Sequence, residues 1–284
     1  MKRSGKEGGK MSSEFNYAGQ ELYMHRIVSK HPEGCPVHIH EEIELFYFIQ
    51  GNCTYMVEGN EYDLQPGDVL LMRPSESHKL CVLSDVPFER IVISLPLDLL
   101  KRFDPDGKLL PPVFDRPLGR LNRYRKQDFD TPLYEQCFES LSVNSPLGVE
   151  LDSMPKILTI LSEIYKVFTA SAEVPVQEND NIAVKIISYV NMHIFENISL
   201  NEISEKFFIS QSQLSRIFRQ ATGTSVWEYI LIKRLIAARD RIRSGMPAGT
   251  VCNFCGFKDY SCFYRQYRAR FGVSPKQDAP CGKN

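Results

Sequence analysis

Leu214-Ser215-Arg216-Ile217-Phe218-Arg219, followed by Gly223 and Ser225, recurs 49 positions later as Phe263-Tyr264-Arg265-Gln266-Tyr267-Arg268, followed by Gly272 and Ser274. Arg falls on Arg, aromatic on aromatic, Gly on Gly and Ser on Ser. A repeat of this length is one supersecondary unit used twice. Each copy reads as a short helix, a turn and a second helix with an Arg on its open face, a shape suited to entering a DNA groove.

The local signals support that reading. In the first copy, Ser199-Leu200-Asn201-Glu202 has capping-box spacing, and Ser210 caps a helix from Gln211 to Ala221. Leu214, Ile217 and Phe218 form its buried stripe, and Gly223 ends it. In the second copy, Val251, Cys252 and Phe254 supply the first helix, Gly256-Phe257 the turn and Asp259 the cap. Phe263 and Tyr267 are its buried positions. Gly249 weakens the start of this copy. Trp227, the only Trp, begins a helix through Arg243 that joins the two copies. Cys252 and Cys255, with Cys262 nearby, invite a metal or redox reading. A four-ligand zinc site needs another Cys or His close by, and cysteines three apart on a helix also read as small core residues.

Charge follows the same division. Net charge is −1, yet residues 181–284 hold 15 Lys/Arg against 7 Asp/Glu. A basic C-terminal segment on an acidic body fits nucleic-acid binding by that segment. The eight cysteines show no disulfide framework, and the basic, Gly/Ser-rich start carries no apolar run. Reduced thiols, a cytoplasmic location and no membrane association are expected.

Upstream, residues 171–180 read as a linker. A helix from Asp152 to Thr169 carries apolar residues at mostly helical spacing, and Tyr134 to Leu141 reads as a short helix. Leu109 to Arg116 reads as a loop. Between residues 20 and 95, Ile43–Ile49, Thr54–Val57, Val69–Met72 and Arg90–Ser94 read as strands, separated by turn signals. Residues 1–18 read as a disordered tail.

Ser210-Gln-Ser-Gln-Leu-Ser-Arg-Ile-Phe-Arg-Gln-Ala-Thr-Gly223, Gly256-Phe257 and Phe263-Tyr-Arg-Gln-Tyr-Arg-Ala-Arg-Phe-Gly-Val-Ser-Pro275 together resemble the AraC/XylS family of bacterial transcription regulators over about 100 residues. The resemblance implies that both second helices enter successive major-groove segments of double-stranded DNA. By matching positions, Ser212, Ser215 and Arg216 face bases in the first unit, and Tyr260, Ser261 and Arg265 in the second. Arg216 and Arg265 can each donate two hydrogen bonds to a guanine edge. Arg219 and Arg268, with Arg270, Lys233 and Arg234, are expected on phosphates. Asp278 and Arg241 depart from the family pattern, standing where aromatic and apolar residues are usual.

His38-x-His40-x3-Glu44, Pro66-Gly67-Asp68 and His78 resemble the two motifs of the cupin β-barrel. Three imidazoles and one carboxylate would suit a divalent metal such as Zn, Fe or Mn. They would equally anchor an organic effector or form a structural polar cluster, and no cofactor is assigned. Tyr47 and Tyr55 could face either side of the barrel.

The expected fold is therefore α+β and multidomain: a tail over 1–18, a cupin-like barrel over 19–98, a helical dimerisation region over 99–170, a linker over 171–180, and an all-α DNA-binding domain with two helix-turn-helix units over 181–284. The family resemblance implies a homodimeric, effector-controlled activator that contacts RNA polymerase and is not an enzyme. Its effector, possibly a sugar by family habit, would meet His38, His40, Glu44 and His78. The alternative is a cupin metalloenzyme, an isomerase or oxygenase, joined to a DNA-binding tail.

Overall fold

The computed structural model describes residues 12–18, 22–29, 35–83, 86–171 and 181–280. The chain divides into two compact units between residues 178 and 179, within the expected linker. Most of that linker, and residues 1–11 of the expected tail, lie outside the described residues.

Among the described residues, the N-terminal unit holds nine strands: β1 (Ser12–Ala18), β2 (Tyr23–Ser29), β3 (Ile43–Gln50), β4 (Cys53–Val57), β5 (Asn60–Asp63), β6 (Val69–Met72), β7 (His78–Val82), β8 (Phe88–Leu95) and β9 (Arg123–Tyr124). It also holds helices α1 (Leu97–Phe103), α2 (Pro111–Phe114), α3 (Leu133–Glu139) and α4 (Val149–Ala170). The disordered tail expected through residue 18 is corrected here: Ser12–Ala18 is an antiparallel partner of β2. The expected loop at Leu109–Arg116 contains α2.

The closed barrel is also corrected. The strands form two separate sheets, one ordered β1-β2-β8-β3-β6-β9 and one ordered β5-β4-β7. β3 runs into β4 through Gly51-Asn52, but β3 ladders with β6 and β8, whereas β4 ladders with β5 and β7. Alternation along a strand records which faces are buried, and that is the same whether sheets close or stack.

β3 explains the layering. Ile43, Leu45 and Tyr47 join one apolar cluster, and Phe46 and Phe48 join another. Successive side chains point to opposite faces, so both faces of this strand are covered. The three-stranded sheet covers one face through Tyr55, Val57 and Leu80. Helices cover the other, with Met154, Ile157, Ile160, Leu161, Ile164 and Val167 of α4 in that core. Residues 99–170 are thus part of the N-terminal unit rather than an extension from it.

The C-terminal unit is helical: α5 (Ile182–Met192), α6 (Leu200–Lys206), α7 (Gln211–Thr222), α8 (Val226–Arg243), α9 (Ala248–Phe254), α10 (Tyr260–Phe271) and α11 (Pro275–Asp278). The repeat has a structural meaning at each position. Gly223 and Gly272 adopt left-handed φ of 71° and 75° and end α7 and α10. Ser225 and Ser274 then cap α8 and α11. Helix ends need such residues because their terminal N–H and C=O groups lack intrahelical partners. α8 serves both copies. Its Tyr229 meets Phe218 edge-on, while its Leu235, Ala238 and Ile242 pack with Val251, Cys252, Phe263 and Tyr267.

Candidate functional site

On α7, Leu214 and Phe218 are buried, and Ser212, Ser215, Arg216 and Arg219 are exposed. On α10, Phe263 and Tyr267 are buried, and Tyr260, Ser261, Arg265 and Arg268 are exposed. Among the described residues, Arg216, Arg219, Arg265 and Arg268 have no hydrogen-bond or ion-pair partner. Each copy therefore presents two uncommitted guanidiniums from equivalent places.

Two other expected phosphate contacts are corrected. Lys233 is buried, with its ammonium 4.7 Å from the centre of the Tyr229 ring. Arg234 donates to the carbonyls of Ile194, Gly256 and Glu196, at 2.6, 2.7 and 2.7 Å. It clips the segment after α5 to the turn of the second copy. Gly256 is required at that turn: its φ is +77°, and a Cβ there would sit 2.4 Å from the Phe195 carbonyl oxygen.

The departures from the family pattern acquire reasons. Asp278 accepts from Arg239 at 2.5 Å, from Arg243 at 3.1 Å and from the Tyr267 hydroxyl at 2.9 Å. Burial works to raise this carboxyl, but the bonds from Arg239 and Tyr267 and the two arginine charges hold it below its ordinary value. Arg241 lies over the Phe254 ring at 4.4 Å. Pro247 gives α9 no side-chain cap, so these contacts support a copy whose helix start is weak. Cys252 and Cys255 are buried in the apolar core, where burial raises both thiols.

In the N-terminal unit, His38, His40, Glu44 and His78 converge. One potential ligand atom from each lies within 4.8 Å of the others. Glu44 stands on the β3 face that carries Phe46 and Phe48 toward the second sheet. A lone bridge joins His38 to His78. Each histidine turns Nδ1 to a backbone carbonyl: His38 to Pro36 at 3.0 Å, His40 to Glu42 at 3.1 Å, His78 to Glu76 at 2.9 Å. An Nδ1–H held this way leaves Nε2 as the nitrogen available to another partner, the arrangement by which proteins orient metal-ligating imidazoles.

His40 Nε2 lies 2.9 Å from Glu44 Oε2, and His78 Nε2 lies 3.6 Å from the same oxygen. Burial would raise Glu44, but His78 and His40 outweigh it and keep the carboxyl well below its usual range. Burial likewise opposes the charged form of His78, and Glu44 reverses the balance, leaving it raised. Burial of its ring, aided by the charge of His78, draws His38 down toward about 4.

The cluster has a further member that alternation left open. The Tyr55 hydroxyl donates to Glu44 Oε1 at 3.1 Å. Tyr47 faces the helices instead, stacked on Phe138 with centroids 4.5 Å apart. Below the site, Glu76 accepts from Arg116, Gly119 N–H and Asn122, all at 2.9 Å, and pins the 115–122 segment. Burial opposes its charge, yet Arg116 and Arg73 lower the carboxyl to about 2. No local motif announces this network, because Glu76 lies 40 to 46 positions from Arg116, Gly119 and Asn122.

The described geometry defines a class: a two-unit protein with paired helix-turn-helix readers and a separate β-rich unit enclosing a polar cluster. Two family profiles match the chain, an AraC-like ligand binding domain over residues 26–144 and a helix-turn-helix domain over 203–279. Among relatives, the HTH-type transcriptional activator RhaS of Escherichia fergusonii is 22% identical over 271 residues, 94% of this chain and 96% of that protein. The XylDLEGF operon transcriptional activator of Pseudomonas putida is 24% identical over 257 residues, 88% of this chain and 76% of that one. A probable transcriptional regulator, LumQ of Photobacterium leiognathi, is 34% identical over 93 residues, 32% of this chain and only 38% of that protein. Crystalline ToxT from Vibrio cholerae O395 aligns over 91% of this chain and 97% of its own, at 14% identity and a TM-score of 0.39, a likeness too slight to build on. The chain belongs to the AraC/XylS family of transcription regulators. Among the described residues, no helix is long and apolar enough to cross a membrane.

Proposed function

We propose that this regulator is an activator that works as a homodimer on double-stranded DNA, with α7 and α10 as its two readers and a small-molecule effector at His38, His40, Glu44 and His78. The observation that carries the reader assignment is the uncommitted pair of arginines on each second helix. Arg216 and Arg265, with Ser212, Ser215, Tyr260 and Ser261, would read base edges, while Arg219 and Arg268 hold phosphates. RNA polymerase contact and a cytoplasmic location follow from the same reading. A sugar effector remains a family expectation with no residue of its own behind it.

The quartet also fits a divalent cation: three oriented imidazoles, one carboxylate, and a buried His78 Nε2 without a hydrogen-bond partner. Bound there, a cation would supply Lewis acidity toward an oxygen group of the effector. The four side chains would hold it, and Tyr55 would orient Glu44.

α4 supports the dimer through the face its core stripe leaves over. Leu151, Pro155, Ser162, Tyr165 and Thr169 fall at helical spacing and carry no charge, and Leu151 is 64% exposed. Leu151→Glu with Tyr165→Glu should give a monomer by sedimentation. A dimer of unchanged strength would remove α4 from the interface.

Footprinting tests the readers. Arg216→Ala and Arg265→Ala should relax base preference at separate positions about one helical turn apart. Loss of the same base contact in both variants would end the two-reader reading.

A further inference from the structure

Arg90 stands on β8 directly across from Phe48 of β3, so its side chain enters the layer between the two sheets. It is only 6% exposed. Its guanidinium lies over the Phe88 ring at 5.3 Å and the Phe46 ring at 5.9 Å. Nε has no hydrogen-bond partner, and Nη2 reaches only the Cys35 sulfur at 3.5 Å. No carboxylate forms an ion pair with it among the described residues. The acidic residues on its own strand and on the adjacent β3 are committed: Glu89 to Arg26, and Glu44 to His40 and Tyr55.

An unanswered guanidinium is a costly thing to bury. Its charge loses water and gains no counter-charge among the described residues, whereas Arg116 in the same unit has Glu76. Ring faces offset part of that cost without neutralising it. A charge held at such cost is a binding-site candidate, and the rings around it lead toward the polar cluster. Phe46, under Arg90, packs on Tyr55 with centroids 4.8 Å apart, and Tyr55 stacks toward His78 at 6.0 Å. A continuous run of rings links Arg90 to the histidine cluster through a layer otherwise apolar.

We propose that Arg90 is an effector-recognition residue and that the effector is a monocarboxylate with an apolar body. The planar fork of the guanidinium matches a carboxylate through two parallel hydrogen bonds. One guanidinium balances one carboxylate charge. A phosphate dianion would leave excess negative charge in a layer that already contains Glu44. Phe46, Phe48, Phe88 and Leu80 suit a hydrocarbon body. This inference rests on the effector-binding reading above and narrows its chemistry.

The test uses the full chain, Arg90→Met, and thermal unfolding with a series of straight-chain and aromatic monocarboxylates at millimolar concentration, their primary amides, inorganic phosphate and neutral sugars. Without ligand, Arg90→Met should melt higher than the parent, because an apolar chain of similar length replaces an unpaired buried charge. At least one carboxylate should raise the parent's melting temperature. Its amide and phosphate should not, and Arg90→Met should not respond. A lower melting temperature for ligand-free Arg90→Met would overturn the proposal, since the arginine would then have a structural partner. So would equal carboxylate responses in parent and variant, a response to phosphate in place of carboxylate, or no carboxylate response at all. Sugars that stabilise both proteins alike would sink the carboxylate inference and leave the effector-binding reading standing.

Discussion

The arginines of the two units are used in opposite ways. In the C-terminal unit, the guanidiniums of Arg216, Arg219, Arg265 and Arg268 stand in solvent without partners among the described residues. Water solvates them, so keeping them unpaired costs the fold almost nothing, and they remain free for another polyanion. In the N-terminal unit, Arg116 is completely buried and fully paired, with Glu76, the Leu71 carbonyl and Asn122 around it. Arg90 is buried and forms no ion pair among the described residues. The same side chain is an uncommitted contact in one unit, a structural clamp at one buried site and an unanswered charge at another. What differs is solvent, and with it the cost of leaving a charge without a partner.

The comparison breaks most visibly at the clamp. Glu76→Gln should destabilise the N-terminal unit by about 3–5 kcal/mol, because it leaves the Arg116 charge buried and uncompensated. Calorimetry should show this loss with the helical unit's transition unchanged. The effect has a pH counterpart. Glu76 is lowered from its ordinary 4.5 to about 2, so its contribution is complete above pH 4.5 and drains away as pH falls toward 2. The parent should lose stability over that window, and Glu76→Gln should show less of that loss. An identical acid profile in the two proteins would place the acid-sensitive group elsewhere.

At the surface, the same kind of change should spare the fold and touch only DNA. Arg216→Ala and Arg265→Ala should each weaken specific binding by roughly 1–3 kcal/mol without shifting the melting temperature. A large drop in melting temperature for either would mean that these side chains support the fold and the contrast fails. Arg219→Ala and Arg268→Ala should be smaller and less selective. Each should weaken all sequences about equally and reduce the salt dependence of binding by about one phosphate contact. Asp278→Asn sharpens the comparison between the two copies. It should destabilise the C-terminal unit by about 1 kcal/mol, through weaker bonds from Arg239, Arg243 and Tyr267. No effect would leave the uncapped start of α9 without its compensation.

The helical unit was the more legible half. Its information is local: caps, glycines and apolar spacing lie within a few residues of the structure they specify. Ser199, Ser210 and Asp259 cap the helices expected of them, and Gly223 ends its helix as read. Misreadings came where a long side chain bends back. Arg234 looks like any basic residue in a helical run, yet its three carbonyl partners come from segments 22 to 40 positions away. Lys233 went wrong for the same reason, its ammonium lying over a ring one turn earlier on a buried face.

In the β unit, sequence alone determined strands β3, β4, β6 and β8 and the side of β3 on which Glu44, Phe46 and Phe48 travel, because a strand's two-residue period is carried by the sequence itself; the four-residue polar cluster was legible only through the resemblance to the cupin motifs. Only the tertiary structure decided that the sheets stack instead of closing, that Ser12–Ala18 joins them, and that Tyr55 faces the cluster while Tyr47 faces the helices. It alone assigned Arg116 a counter-charge and left Arg90 without one among the described residues. Those outcomes depend on which strands become neighbours across tens of residues, and on how much water remains around a charge once they do.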